Sequence, residues 1–138
     1  MKRLPAIVVH LTVLTVVISM ASETLAQEPK TANVTGTYIK KTENESANLE
    51  VKLISQNKVH VKGTAFWGTN RDTGPNIGEL DFRATMKNGR VEYFEKKGKK
   101  QYYKLELIFT PKGITAKEEG VSGNFGMNVT FAGEYKKK

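Results

Sequence analysis

The sequence contains no cysteine, which excludes disulfide bonds, cysteine-ligated zinc, iron–sulfur clusters and a thiol nucleophile. Histidine is scarce as well, since one of the two lies in the apolar N-terminal segment and only His60 follows it. The serines after residue 27 are Ser46, Ser55 and Ser122, and none stands in a Gly-x-Ser-x-Gly motif. No metal-ligand spacing occurs. We therefore predict a non-enzymatic protein without catalytic residues, metal or cofactor; a paired-carboxylate hydrolase is the enzymatic alternative.

The N-terminal segment has the layout of a secretory signal peptide. Met1-Lys2-Arg3 is basic, Leu4 to Met20 is almost wholly apolar, and Thr24 and Ala26 are small residues at positions −3 and −1 of a cleavage site. A retained membrane anchor is the alternative, although an apolar run of about 17 residues is at the lower limit for a transmembrane helix. We predict a signal peptide over residues 1–26, export to the periplasm or secretion, and no membrane span after cleavage.

The rest of the chain has room for one domain. We predict a flexible N-terminal segment over 27–33 and a β-domain over 34–138, because from Val34 onward apolar residues alternate with polar ones between turn-forming sequences. This period of two is typical of strands with one buried face. Eight strands are predicted, at 34–41, 48–55, 59–67, 77–87, 90–96, 101–110, 113–119 and 127–136.

Turn sequences test this pattern, because a slip of one residue would reverse the faces of a strand. A two-residue turn at Asn88-Gly89 pairs inward residues, Met86 with Val91 and Ala84 with Tyr93. Further turns pair inward residues too: Phe109 with Ile114, Leu107 with Ala116, Tyr93 with Tyr103, and Leu53 with Val61. Four hairpins thus agree on one interior.

A single interior shared by eight antiparallel strands predicts a closed up-and-down barrel, with a β-sandwich as the alternative. The first strand carries Gly36-Thr37-Tyr38 and the last Gly133-Glu134-Tyr135, so glycine would permit curvature where these strands meet. About three inward side chains per strand would fill so small a barrel. The fold prediction is therefore an all-β, single eight-stranded barrel with a packed interior.

The predicted topology sorts the connections into two ends. Short turns at 56–58, 88–89 and 111–112 share one end with the chain termini, whereas the connections at 42–47, 68–76, 97–100 and 120–126 share the long-loop end. Binding residues commonly lie on loops that a rigid scaffold positions, so we expect function at the long-loop end. The candidate binding residues are Arg71, Asp72, Lys97, Lys99, Lys100, Asn124 and Phe125.

The charge of this end suggests the kind of partner. The formal net charge is +8, and lysines surround Gly98 at a hairpin tip. Such a tip would attract an anionic envelope component or an acidic protein, although lysines at a tip also serve simply as a solvated surface that resists aggregation. Without an aromatic stacking face, nucleic acid is not expected as a partner. The oligomeric state is left open.

Side chains facing outward form a second candidate surface. Phe94 is expected beside Tyr102, with Arg83 opposite Phe94 on the preceding strand, as a cation–aromatic or self-association patch. Cross-strand pairing that only stabilises the sheet is the alternative. His60 alternates with two valines and should face solvent, while Glu118 would lie inward near the barrel rim.

The stretch from Gly123 to Tyr135, together with Gly36-Thr37-Tyr38, resembles the terminal and opening strands of small exported bacterial eight-stranded barrels of the lysozyme-inhibitor-like and lipocalin-like kinds. Besides a binding module, the resemblance implies two alternatives: an inhibitor of a cell-wall hydrolase, or a carrier of a small hydrophobic ligand. The inhibitor families commonly carry cysteines, which this chain lacks, so no functional residue is transferred from them.

Overall fold

The computed structural model describes residues 34–138, and the predictions for residues 1–26 and 27–33 lie outside that range. Within it every regular element is a β-strand. The eight strands are β1 (Gly36–Lys41), β2 (Glu45–Leu53), β3 (Lys58–Trp67), β4 (Asn76–Thr85), β5 (Arg90–Lys97), β6 (Gln101–Thr110), β7 (Gly113–Gly120) and β8 (Gly133–Lys137).

The strands form one antiparallel sheet in the order β4-β3-β2-β1-β8-β7-β6-β5. Tyr38 on β1 pairs with Lys137 on β8, so the first and last strands are neighbours as predicted. The sheet is open only between β4 and β5, where a single bridge between Lys87 and Arg90 links the described strands. The fold is therefore an up-and-down barrel, closed except along this seam, and not the alternative sandwich.

The turn between β4 and β5 follows the sequence signal. Asn88 and Gly89 have φ values of 50° and 67°, the left-handed conformation that a type I′ turn requires at both central residues. Lys87 and Arg90 exchange both backbone hydrogen bonds at 2.9 Å. The turn itself is therefore confirmed.

The predicted pairing beyond this turn is wrong, because the Met86–Val91 and Ala84–Tyr93 pairs do not form. The Met86 amide instead donates to the carbonyl of Asn57, at 2.7 Å, in the neighbouring β2–β3 connection. β4 thus continues its ladder with β3 and separates from β5 after one bridge.

The register of the other hairpins preserves the interior. Phe109 pairs with Ile114 and Leu107 with Ala116, as predicted. Two hairpins differ from the prediction by two residues, since Leu53 pairs with Val59 and Tyr93 with Leu105. A shift of two keeps each side chain on its own face, and these errors therefore leave the predicted core intact.

The interior is filled by the inward side chains of the strands. Leu107 and Phe131 are fully buried. Aromatic rings contact one another through the interior, among them Phe82 with Tyr93 and Tyr93 with Tyr103. The buried apolar residues are Val34, Tyr38, Ala47, Leu49, Val51, Val59, Val61, Ala65, Leu80, Phe82, Met86, Val91, Tyr103, Leu105, Leu107, Phe109, Ile114, Ala116, Phe131 and Tyr135.

The last strand is much shorter than predicted. The prediction placed a strand at 127–136, but β8 begins only at Gly133, and residues 121–132 form an irregular segment. Asn128 has a φ of 63°, which is incompatible with an extended strand. We call residues 121–132 the plug, because the segment turns into the barrel and places Phe131 in its core.

A plugged end of the barrel as the candidate functional site

The connections separate into two ends as the sequence predicted. The plug lies at the long-loop end with the connections 42–44, 68–75 and 98–100, and we call this the plugged end. The connections 54–57, 86–89 and 111–112 lie at the opposite end, which we call the turn end, together with the start of β1 and the end of β8.

Phe125 fixes the plug from inside. Its ring meets Tyr103 edge-on at 5.2 Å between centroids and lies 5.3 Å from the ring of Phe131. Gly78 on β4 makes room for it, since a Cβ at Gly78 would come within 3.0 Å of the Phe125 ring. Phe125 was predicted as a candidate binding residue. The structure places it half-buried against the core, where it positions the plug.

Glu118 on β7 holds the backbone of the plug. Its half-buried carboxylate accepts hydrogen bonds from the Tyr103 hydroxyl at 2.6 Å, from the Phe131 amide at 2.8 Å and from the Thr130 hydroxyl. Burial raises the pKa of Tyr103 well above the usual tyrosine range, and the hydrogen bond to Glu118 raises that pKa further. Glu118 therefore faces inward near the rim, as expected, and its carboxylate attaches the plug to β7.

Lys40 on β1 holds the plug from the other side. This lysine is only 6% exposed, and its ammonium donates to the carbonyls of Thr130 at 3.1 Å and Ala132 at 2.8 Å. The carboxylate of Glu45 lies 3.5 Å from the same nitrogen. Lys40 was missed in the sequence, although it stands two residues after Tyr38 and so shares its inward face.

The plug is also tied to both strands that border the open seam. On the β5 side, the Asn124 amide donates to Glu95 at 3.0 Å, and Glu95 also accepts from the Tyr93 hydroxyl at 3.3 Å. Asn124 was predicted as a binding residue; its side-chain amide is engaged in this contact within the protein.

On the β4 side, the Asn76 side chain donates to the carbonyl of Met127 at 2.8 Å. The Gly126 amide donates to the carbonyl of Ile77 at 2.9 Å. The plug therefore bridges β4 and β5 at the end of the seam farthest from the Asn88-Gly89 turn, and both ends of the seam are closed.

The predicted cationic residues are exposed on two sides of the plug. Lys97, Lys99 and Lys100 lie at the tip of the β5–β6 hairpin. Lys97 runs beside the plug, because a Cβ at Gly123 would lie 3.1 Å from its ammonium nitrogen. The structure thus brings Lys97 together with the segment that carries Asn124.

Arg71 and Asp72 are exposed in the connection 68–75, on the β4 side of the plug. The Arg71 guanidinium lies over the ring of Trp67, 5.4 Å from its centroid, in a cation–π contact. These two residues belong to the same end as the lysine tip but to a different loop.

Two exposed apolar side chains of the plug gave no signal in the sequence. Val121 and Met127 are 67% and 77% exposed, more than any other large apolar residue between Val34 and Lys138. Val121 lies in the predicted connection 120–126, and Met127 is the first residue of the predicted strand 127–136. The alternating pattern assigned neither residue a role.

The outer surface contains the second candidate in part. Phe94 and Tyr102 stack with centroids 6.0 Å apart and ring planes inclined by 25°. Arg83 does not lie opposite Phe94 in the sheet as expected: β4 and β5 separate, and Arg83 pairs with His60 on β3. The predicted three-residue patch is therefore an aromatic pair.

His60 lies on the outer face of β3 and is hydrogen-bonded to Asp81 on β4. This hydrogen bond, with a smaller attraction from Lys62, lowers the pKa of Asp81. Between residues 34 and 138 no cluster of three or more histidine, aspartate or glutamate side chains could hold a metal ion. Nor does that part of the chain contain a helix long and apolar enough to cross a membrane.

Comparison with family models, curated proteins and solved structures finds no match for this chain. The structure establishes the barrel, whereas the particular likeness to lysozyme-inhibitor-like or lipocalin-like proteins stays a prediction from the sequence.

Proposed function

We propose that the protein is an exported, periplasmic or secreted, non-enzymatic binding module that recognises an anionic partner at its plugged end. The observation that carries this proposal is the placement of Arg71, Lys97, Lys99 and Lys100, all exposed, on two sides of a plug that is hydrogen-bonded to β1, β4, β5 and β7. A cluster of exposed cations on a small basic protein attracts anions and orients them before contact.

The attachments of the plug support recognition by a preformed surface. Lys40 and Glu118 hold its backbone, and Phe125 packs beneath it. A surface that is already ordered loses little conformational entropy when it binds, so more of the contact energy appears as affinity. In this proposal Asn124 and Phe125 position the site and the four cations contact the partner.

The two alternatives from the sequence use the molecule differently. A hydrophobic-ligand carrier needs room in the barrel, yet Phe82 stacks on Tyr93 there at 4.6 Å and Phe125 packs on Phe131. A hydrolase inhibitor would use the plugged end against a protein, forming a one-to-one complex that reduces lytic activity. The exposed cations favour an anionic partner over a hydrophobic ligand and over a hydrolase.

A polyanion column tests the proposal. The protein is applied to immobilised heparin, and the salt concentration that elutes it is compared with that of the triple variant Lys97→Glu, Lys99→Glu and Lys100→Glu. We expect this variant to elute at much lower salt, because phosphate-like or sulfate-like contacts are lost together with the charge.

A second triple variant distinguishes loss of the proposed site from a mere change in net charge. Lys58→Glu, Lys87→Glu and Lys112→Glu remove the same charge from exposed positions at the turn end. We expect this control to elute close to the unaltered protein. Equal shifts for both triple variants would show binding by overall charge alone and would reject the plugged end as the site.

A further inference from the structure

We infer that the anionic partner is a lipid bilayer containing acidic headgroups, onto which the plugged end docks with Val121 and Met127 inserted. This inference rests on the proposed function and specifies its partner. The two side chains are the most exposed large apolar groups of the described residues, and both belong to the plug.

Their exposure is enforced by the backbone around them. The Val121 amide donates to the carbonyl of Tyr102 at 2.9 Å, and the Met127 carbonyl accepts from Asn76 at 2.8 Å. Residues fixed in this way cannot turn their side chains into the core without breaking these bonds. Water therefore meets two apolar groups held outward at the same end of the barrel as the exposed cations.

The cations lie where headgroups would be. Val121 is bonded to the strand that follows the tip carrying Lys97, Lys99 and Lys100, whereas Met127 is bonded to the strand that follows the loop carrying Arg71. Each apolar group thus has basic side chains nearby. Apolar groups that enter the acyl boundary beside basic residues at headgroup level are typical of interfacial binding.

A bilayer uses both parts of this surface, whereas a soluble polyanion uses only one. Acidic headgroups would contact the lysines and Arg71, and the boundary region would remove Val121 and Met127 from water. Trp67, half-buried beneath Arg71, has the amphipathic ring that favours the interface. The chemistry of the plugged end therefore favours a lipid surface.

Vesicle binding tests the inference. The protein recovered after export is mixed with vesicles of phosphatidylcholine alone or of phosphatidylcholine with phosphatidylglycerol, and binding is measured by co-sedimentation. The emission of Trp67, the sole tryptophan, provides a second readout. We expect binding to the acidic vesicles only, with a blue shift of the emission.

The variant Val121→Ser with Met127→Ser should bind acidic vesicles roughly tenfold more weakly or worse, because the apolar area that the bilayer would bury is lost. The control is Ile54→Ser, which removes an exposed apolar side chain at the turn end and should bind like the unaltered protein. Since all three residues are exposed, unchanged urea midpoints are expected, which separates binding from folding.

Two results would overturn the inference. One is equal vesicle binding by the unaltered protein and the Val121/Met127 variant. The other is no vesicle binding by a protein whose heparin elution still depends on Lys97, Lys99 and Lys100; in that case the proposed anion-binding function stands and the lipid partner does not. Loss of the heparin dependence itself would reject the proposed function.

Discussion

Phe82 on β4 and Tyr93 on β5 stack with ring centroids 4.6 Å apart and planes inclined by 25°. Their strands share no backbone ladder beyond the Lys87–Arg90 bridge. Side-chain packing thus joins the two edges of the sheet along the middle of the seam, while the type I′ turn and the plug join its ends. The barrel is completed by three different kinds of contact at the same opening.

Because the stack joins the two strands, we expect Phe82→Ala to lower the free energy of unfolding by a large amount. Truncation of a buried phenylalanine costs about 3 to 5 kcal/mol, and here it also removes the ring that covers Tyr93. Phe94→Ala is the control, because Phe94 is 59% exposed and its stack with Tyr102 lies on the outer face. We expect it to cost about 1 kcal/mol. Urea unfolding measures both, and equal losses would contradict the seam's dependence on the stack.

Lys40→Met should loosen the plug. Hydrogen bonds to a charged donor contribute about 1.5 to 3 kcal/mol, and the carbonyls of Thr130 and Ala132 lose theirs together. Amide hydrogen exchange over the plug should accelerate more than exchange in β2 and β3. The control is Lys41→Met, at the next and exposed position. It should leave both the free energy of unfolding and the exchange rates in the plug nearly unchanged. Unchanged exchange in the plug of the Lys40 variant would refute its attachment by this lysine.

The buried tyrosines predict loss of stability in alkali. Burial raises the pKa values of Tyr103 and Tyr135 in the folded protein above the unfolded value of about 10. Glu118 raises both further, through its hydrogen bond and then its charge at Tyr103 and through its charge at Tyr135. The folded state then keeps protons that the unfolded state releases. The stabilisation is complete below about pH 10 and is lost as the pH rises above it.

Urea midpoints measured between neutral and strongly alkaline pH test this prediction. They should fall steeply for the unaltered protein and less steeply for the double variant Tyr103→Phe, Tyr135→Phe. Identical slopes would assign the alkaline loss to groups other than these two tyrosines.

The lowered pKa of Asp81 predicts a loss of stability in acid, in contrast to the loss in alkali that the tyrosines predict. The hydrogen bond from His60 lowers the pKa of Asp81 below its ordinary value of 3.8, so the contribution of this pair is present above that pH. It is lost as the pH falls through the lowered pKa. Asp81→Asn should therefore flatten the acid limb of stability against pH, measured by urea midpoints, and an unaltered slope would count against the pair.

The sequence predicted the fold well because most of the barrel depends on local patterns. Alternation alone identified inward residues such as Leu107 and Phe109. Asn88-Gly89 specified its turn because glycine and asparagine tolerate the left-handed conformation. The two hairpins with the wrong register were shifted by two residues, because such a shift keeps each side chain on the same face of the sheet.

The candidate site was predicted less completely. The sequence located the exposed cations, because their polarity and the turn residues around them are visible in a few adjacent positions. It did not show that Phe125 packs half-buried against the core, since an aromatic residue in a glycine-rich segment is equally compatible with exposure and with burial. Val121 and Met127 were not singled out, because only the path of the plug decides which apolar residues remain in water.

By itself, then, the sequence determined a barrel of eight strands, its interior and the end that carries the lysine tip and Arg71. Tertiary structure alone decided that the chain leaves the sheet at 121–132, that Lys40 and Glu118 meet its backbone there, and that β4 and β5 separate. The physical reason is the range of the interactions. Alternation and turn conformation act between neighbouring residues, whereas Lys40 and Ala132 are 92 positions apart and meet only when the sheet curves.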